Sequence, residues 1–355
     1  MQQNKTTREL LTAHYHKYPK LQIRDVFKFI HQSSYGCEHM VASLEKATAY
    51  IREELKAAKP ATRAEIEPLD GNYCRVPLSY VSEGLSAETL GKLFYLSAKE
   101  EENGKAALLN KLNVAKELVE EGMLPFTKSD FEKAVEVWKA DGFGAVHHSE
   151  AFRSEYAPSY RVIAKEYIPF LPLFARLDKA LANGTVRLAI EGGSASGKTT
   201  LGSMLSDIYG CTVFHMDDFF LRPEQRTPER FAQVGGNVDR ERFLSQVLIP
   251  LSEGKAVDYQ RFDCATMTLC KPVRIAPEKL TVTEGAYSMH PELAEYYNFS
   301  VFLDIAPQLQ KERILRRNSP DFAQRFFNEW IPLEERYFAE TNVKERCGMV
   351  IEIYE

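Results

Sequence analysis

Apolar residues recur at helical spacing through the first half of the chain, whereas in the second half short apolar runs alternate with helical patterns. Residues 25–30 (Asp-Val-Phe-Lys-Phe-Ile) and 40–55 each predict a helix, and 87–123 predicts two helices separated near Asn103-Gly104. Thr6-Thr7-Arg8-Glu9 and Ser129-Asp130-Phe131-Glu132 fit the capping box that marks helix starts. In this half only Tyr73–Val81 has strand character. Pro169 and Pro172 interrupt helical continuity, and a last short helix over 173–181 ends at Asn183-Gly184. From residue 185 the rhythm changes. Strand-like runs at 186–190, 212–216, 280–283, 300–305 and 349–354 alternate with helical patterns at 200–208, 240–251, 307–318 and 322–338. That alternation predicts a parallel sheet flanked by helices, with ligands beyond the carboxyl ends of its strands. The expected architecture is a mostly α-helical domain over 1–183 followed by an α/β domain over 184–355.

Composition sharpens this only modestly. With 355 residues, 44% hydrophobic and 27% charged, the chain can fill two cores. The net charge of −5 and the lack of a Lys/Arg block argue against a nucleic-acid partner. Six cysteines without a C-x-x-C pair read as reduced thiols of a cytoplasmic protein, not as a disulfide framework or zinc site. The polar start MQQNKTTREL lacks a signal-peptide core, and no apolar run approaches a membrane span, so no membrane partner is expected. A homo-oligomer is left open.

The most specific chemistry lies at the 186–200 strand-to-helix transition. Gly192-Gly193-Ser194-Ala195-Ser196-Gly197-Lys198-Thr199 fits the phosphate-loop template G-x-x-x-x-G-K-[ST], with a strand before it and a helix, opening at Thr200, after it. Glycines let successive N–H groups turn inward as an anion nest, and the helix adds its positive end. Lys198 can reach the β- and γ-phosphates of ATP, and the Thr199 hydroxyl can bind Mg²⁺. Acidic residues follow three other strands: Asp217-Asp218, Glu284 and Asp304. Two carboxylates at that sheet edge can hold Mg²⁺, and one can accept a proton from an attacking hydroxyl. Asp218 and Asp304 equally suit capping of the turn or helix that follows. Lys311, Arg313, Arg316, Arg317 and Arg325 form either a lid that closes over the nucleotide or a solvated basic face.

The stretches GGSASGKTT (192–200), HMDDFF (215–220), VTEGAY (282–287) and VFLDIAPQLQKERILRRN (301–318) together resemble the uridine kinase-like P-loop kinases, a family that includes phosphoribulokinase, bacterial pantothenate kinase and nicotinamide riboside kinase. The resemblance spans 185 to about 340. It implies ATP-dependent phosphorylation of a hydroxyl on a small molecule, a nucleoside or another polar metabolite. Asp217 occupies the position of the general base, and Thr199, Glu284 and Asp217 occupy positions near Mg²⁺. Arg313 is expected at the nucleotide, and Arg317 beside Lys198 in catalysis, although the family's Arg-Asp lid pair is Arg317-Asn318 here. The family's substrate segment is replaced by VDYQRFDCATMTL (257–269), in which Tyr259, Arg261 and Asp263 line a polar pocket. Asn237 and Asp239 either contact substrate or cap the next helix, and His290-Pro291 resembles a family loop or marks a simple turn.

No established motif precedes residue 185. SSYGCEHM (33–40) and AVHHSEAFRSEYAPSYR (145–161) contain Cys37, Glu38, His39, His147, His148 and Glu150, a metal or anion site if the two segments meet. The plainer readings are a buried or helix-end His39 and a helix entry at His147-His148-Ser149. Tyr156, Tyr160 and Arg161 are expected to pack across the domain boundary. Two alternatives to a simple kinase stand beside it: a nucleotide-dependent regulatory switch without an acceptor, and a fusion with a second activity in the helical half.

Overall fold

The computed structural model describes residues 6–37, 41, 43–57, 65–98 and 103–354, in two compact units, Met1–Asp178 and Lys179–Glu355. The N-terminal unit contains the helices Thr7–Lys17, Ile23–Tyr35, Leu44–Ala57, Ala87–Leu96, Gly104–Glu120, Lys128–Ala140 and Glu150–Tyr156. The Thr6/Glu9 capping box is present, with both reciprocal hydrogen bonds. The second box is not: the N-cap is Thr127, whose hydroxyl accepts from the Asp130 N–H, two residues before the expected Ser129. A local Thr-x-x-Asp match outcompetes the neighbouring Ser-x-x-Glu. Every residue from Asp25 to Ser34 is buried, so Ile23–Tyr35 is a central helix enclosed on all sides, not an amphipathic surface one.

Three strands complete this unit: β1 (Glu67–Pro68), β2 (Tyr73–Pro77) and β3 (Tyr160–Ala164), antiparallel in the order β1-β2-β3. The predicted strand 73–81 therefore stops at Pro77 and continues as a 3₁₀ turn, Leu78–Val81. β3 was not expected, because its five residues are too few to show an alternation and its pairing partner is more than 80 residues distant, Tyr73 opposite Ala164. Tyr156, Tyr160 and Arg161 have their hydrogen-bond partners inside this unit, on Lys20, His148 and Glu54, not across the boundary. The helix Leu171–Asn183 carries the chain into the second unit.

The C-terminal unit is built on β4 (Val186–Gly192), β5 (Thr212–His215), β10 (Leu280–Glu284), β11 (Phe299–Ile305) and β12 (Met349–Ile353), all parallel, in the order β12-β11-β4-β10-β5. Between β5 and β10 lie two small antiparallel pairs, β6 (Val257–Tyr259) with β9 (Val273–Ile275) and β7 (Phe262–Asp263) with β8 (Thr268–Leu269). β4 is flanked by β10 on one side and β11 on the other, so the crevice at its carboxyl end is a topological switch point. The helix Lys198–Tyr209 follows β4 directly, and Pro307–Arg317 follows β11. The helical patterns at 240–251 and 322–338 are each realised as a helix with one widened π turn, Leu244–Leu248 and Phe326–Trp330. Each widened turn runs up to a proline, Pro250 or Pro332, whose missing N–H and ring bulk are accommodated by the wider turn. Among the described residues no helix is long and apolar enough to cross a membrane.

β10 ends in Glu284-Gly285, where Gly285 has φ +143° and a Cβ would lie 2.6 Å from the Met216 Cβ. Both the backbone conformation and the space exclude a side chain. Gly285→Ala should destabilise the unit by about 2–3 kcal/mol in urea denaturation; a change below ~0.5 kcal/mol would contradict this packing.

Candidate active site

The loop between β4 and the helix Lys198–Tyr209 is held open by backbone conformation: Gly192, Ala195 and Gly197 have φ of +147°, +59° and +100°. A Cβ on Gly192 would meet the Leu303 carbonyl oxygen at 2.7 Å, so glycine is required where the loop leaves the sheet. The loop is also fastened from outside. Glu334 accepts from the Ser194 N–H (2.8 Å) and Oγ (2.7 Å), the Gln310 amide donates to the Ser194 carbonyl (2.9 Å), and Arg313 donates to the Ala195 carbonyl (3.2 Å). The residues suit an anion. The Ser196 hydroxyl is buried without a partner among the described residues, and Lys198 Nζ, at the helix start, donates to the Gly192 and Gly193 carbonyls at 2.9 Å each. Those two carbonyls are weak holders of an ammonium compared with a phosphate oxygen. Thr199 and Thr200 are exposed on the first turn.

Strand register brings the acids to the loop. Glu284 lies opposite Ile190 on one side and His215 on the other. Its Oε1 accepts from Thr199 Oγ1 (3.1 Å) and contacts His215 Nδ1 (2.5 Å). The Glu284 hydrogen bond raises the His215 pKa, against the effect of burial, and so favours the charged form of the imidazole. Two residues on, Asp217 is open to solvent yet ringed by protein, as at the floor of a cleft. That burial raises its carboxyl above the usual range; Lys198 pulls it down and Glu284 pushes it up. Among the described residues no group of three or more His, Cys, Asp and Glu forms a complete metal cage. A hydroxyl with one or two carboxylates is instead the donor set suited to an ion that shares its shell with phosphates and water.

Residues 188–325 match the model of the Phosphoribulokinase / Uridine kinase family. Over those residues the C-terminal unit resembles that family. Phosphoribulokinase of Synechocystis sp. is 25% identical over 145 residues, 39% of this chain and 43% of the relative. The chloroplastic phosphoribulokinase of Spinacia oleracea is 25% identical over 148 residues, 36% of this chain and 37% of the relative. The chain thus spans less than half the length of these curated relatives. Among solved structures, one described as a possible uridine kinase from Bacillus stearothermophilus aligns with 51% of this chain and 99% of its own, at 24% identity and TM-score 0.39. A shikimate kinase from Acinetobacter baumannii aligns over 50% and 88%, at 15% identity and TM-score 0.28.

Several residues sit differently from expectation. Arg317 does not touch the loop: its guanidinium lies 5.8 Å from the Phe326 ring, and Arg325 lies 5.1 Å from that of Trp330. Aromatic side chains of the following helix offer these cations a face, while only Arg313 reaches the loop. Lys311 and Arg316 are exposed. Asp304 neither caps a helix nor faces the loop; it pairs with Lys344 at 2.6 Å. Asp218 accepts from the Tyr259 hydroxyl (2.5 Å), which itself accepts from the His215 N–H (3.1 Å), so Tyr259 and Asp218 brace the acidic turn instead of facing an acceptor. Asp263 folds back onto the Ala265 N–H and the Thr266 hydroxyl of its own turn, leaving the exposed Arg261 as the free member of the predicted trio. Asp239 caps its helix by accepting from the Arg242 N–H, and Asn237 hydrogen-bonds Tyr287. His290 belongs to a turn, its Nδ1 accepting from the Glu292 N–H. In the other unit Ser149 is an N-cap, Cys37 donates to the Phe94 carbonyl, and His147 offers its carbonyl to Arg24. Glu38 and His39 lie outside the described residues.

Sequence reasoning passed over Glu191, which is fully buried at the end of β4. It accepts from the N–H groups of Gly192 (3.0 Å), Tyr287 (3.2 Å) and Met289 (3.0 Å), and from the Tyr337 hydroxyl (3.0 Å). A carboxylate inside the apolar run LAIEGG was a legible anomaly, masked by a template that starts one residue later. His215 stood in plain view beside Asp217, whereas Glu334 carries no local signal.

Burial pushes the Glu191 carboxyl from 4.5 up to about 7, against the Met289 and Gly192 N–H groups and the Lys198 charge that pull it down. Below pH 4.5 folded and unfolded chains both hold the proton, so its stabilising contribution is complete there, and it is lost as pH rises to about 7. The window corresponds to about 3 kcal/mol. Urea denaturation of a Trp138→Phe protein, read from Trp330, should therefore lose stability across that range, and Glu191→Gln should flatten the slope. An unaltered slope in Glu191→Gln would refute the assignment.

Proposed function

We propose that the C-terminal unit transfers the γ-phosphoryl group of ATP to a hydroxyl of a small polar metabolite. The observation that carries this reading is the meeting, at one sheet edge, of a phosphate loop, the Thr199–Glu284 pair and the acidic turn at Asp217. Loop N–H groups and the unpartnered Ser196 hydroxyl receive phosphate oxygens, and Lys198 leaves its two carbonyls for the β- and γ-phosphates. Thr199 and Glu284, with Asp217 beside them, would hold Mg²⁺, which neutralises charge on the bridging phosphates. Asp217, made a stronger base by burial, accepts the proton of the acceptor hydroxyl as its oxygen attacks phosphorus. Arg313 is already at the loop, whereas Arg317 requires a rearrangement of the lid segment to reach the transferring group. The acceptor enters between 217–222 and 257–263, where the exposed Arg261 supplies a cation.

This reading includes a helical domain over 1–183 separate from a kinase domain over 184–355. Its six cysteines are free, which supports work in a reducing compartment such as the cytoplasm.

A metabolite panel with labelled ATP tests the reading. Acceptor-dependent ADP release is the expected result; nucleotide binding with only slow hydrolysis would make the chain a switch. Lys198→Ala should abolish transfer with the fold retained. Asp217→Asn should lower kcat on the order of 10²–10⁴-fold while ATP affinity is kept. Near-parental turnover in Asp217→Asn would defeat the base assignment.

A further inference from the structure

The N-terminal unit contains a cavity of about 150 Å³ with polar and apolar walls, its polar lining made by Lys28, Gln32, Glu54, His148, Tyr160 and Arg161. Its floor is a fixed hydrogen-bond chain. Asp25 is fully buried and accepts from His148 Nδ1 (2.8 Å), the Ser149 N–H (2.9 Å) and Ser149 Oγ (2.6 Å). These donors hold the Asp25 carboxyl down at about 2, and burial holds the His148 imidazole down at about 4, so the pair is carboxylate and neutral ring. With Nδ1–H committed to Asp25, His148 Nε2 is an acceptor and receives a hydrogen bond from the Tyr160 hydroxyl at 2.7 Å. Ser149 is spent on Asp25 and on capping the Phe152 N–H, so no nucleophilic triad is formed.

Charges around the cavity are paired, with one exception. Arg161 bonds Glu54 (2.8 Å), and Arg75 bonds Glu67 (3.3 Å) and the Gln32 carbonyl oxygen (3.0 Å). That last bond turns the Gln32 NH₂ away from Arg75 and leaves it as a donor. Lys28, only 8% exposed, has no carboxylate partner among the described residues. It donates to the Val146 carbonyl at 3.1 Å, which uses one of its three protons. Burial pulls its pKa down to about 8, with the Arg75 and Arg24 charges adding to the drop and the Asp25 charge opposing it, so an added anion would favour its ammonium form. Behind it, Arg75 is almost wholly buried with Nη2 unpartnered. Phe94, Pro158 and Val162 give the cavity an apolar side.

We infer that this cavity is a binding site for a small organic oxyanion, whose charged end meets Lys28 and the Gln32 amide while its short carbon skeleton lies against Phe94. A cavity of this size takes a molecule on the order of six to ten non-hydrogen atoms. An anion restores the missing counter-charge of Lys28, and binding and protonation of that amine reinforce each other. The His148–Asp25 pair fixes Tyr160 as an acceptor for a hydroxyl of the same ligand.

The test uses the full chain at constant ionic strength, with acetate and inorganic phosphate as probes and chloride as the control. Reductive methylation of Lys28, read by mass spectrometry, should slow at least fivefold with one or both probes, while exposed lysines react at unchanged rates. Protection by acetate alone assigns a carboxylate ligand; protection by phosphate alone assigns a phosphoryl ligand. Calorimetry in a Lys198→Ala background, which removes the phosphate-loop lysine, should show the protecting probe binding at least tenfold more weakly after Lys28→Met. Equal methylation rates with and without both probes, or unchanged affinity in Lys28→Met, would overturn the inference. The methylation result stands on the parental chain even where a variant fails to fold.

Discussion

The register of β10 between β4 and β5 is the constraint on which the C-terminal site depends. Because Glu284 pairs with Ile190 and His215, three strand ends finish at one level. The loop that begins at Gly192, the turn that carries Asp217 and the Thr199 hydroxyl are then brought together by backbone hydrogen bonds alone. A slip of one residue would turn Glu284 to the opposite face of the sheet and remove it from Thr199. Gly285 secures this from the far end, since only glycine lets the chain leave β10 so close to Met216.

That convergence creates an electrostatic demand. Glu191, Asp217, Glu284 and Glu334 surround a region in which Lys198 is the nearest lysine, and burial raises the pKa values of Glu191, Asp217 and Glu334 together. On the proposed reading, a polyphosphate brought to the same place adds further negative charge, which a divalent ion at Thr199 and Glu284 and arginines from the 313–325 segment would offset. The His215–Glu284 contact satisfies part of that demand in the meantime. The N-terminal cavity has the opposite sign problem, a buried ammonium short of an anion, within a different set of elements.

What could be read from the sequence follows from the range of the interactions involved. The five parallel strands, the loop and the acids after β5 and β10 are encoded in contiguous apolar runs and fixed spacings, and these were legible. Helices were legible from periodicity, except where one local cap displaced another at Thr127. Side-chain destinations were harder. Asp304 reads like its neighbours at strand ends, yet it answers Lys344, 40 residues later. Tyr259 and Asp263 have the composition of a substrate pocket but spend their polar groups on the protein itself. Arg317 found an aromatic face. The β2–β3 pairing and the Asp25–His148 bond join segments more than 80 residues apart, and no local pattern announces such a pairing.

The central claim is that the turn between Ile190 and Thr200 encloses a nucleotide's polyphosphate. Titration of the folded full chain with ATP, with and without magnesium, tests it most directly when heat and the amide resonances of Gly193–Thr199 are followed together. The account predicts one site per chain, tighter with magnesium, and shifts concentrated in those amides. Absence of binding by either ATP or GTP to well-folded protein with magnesium present would contradict it.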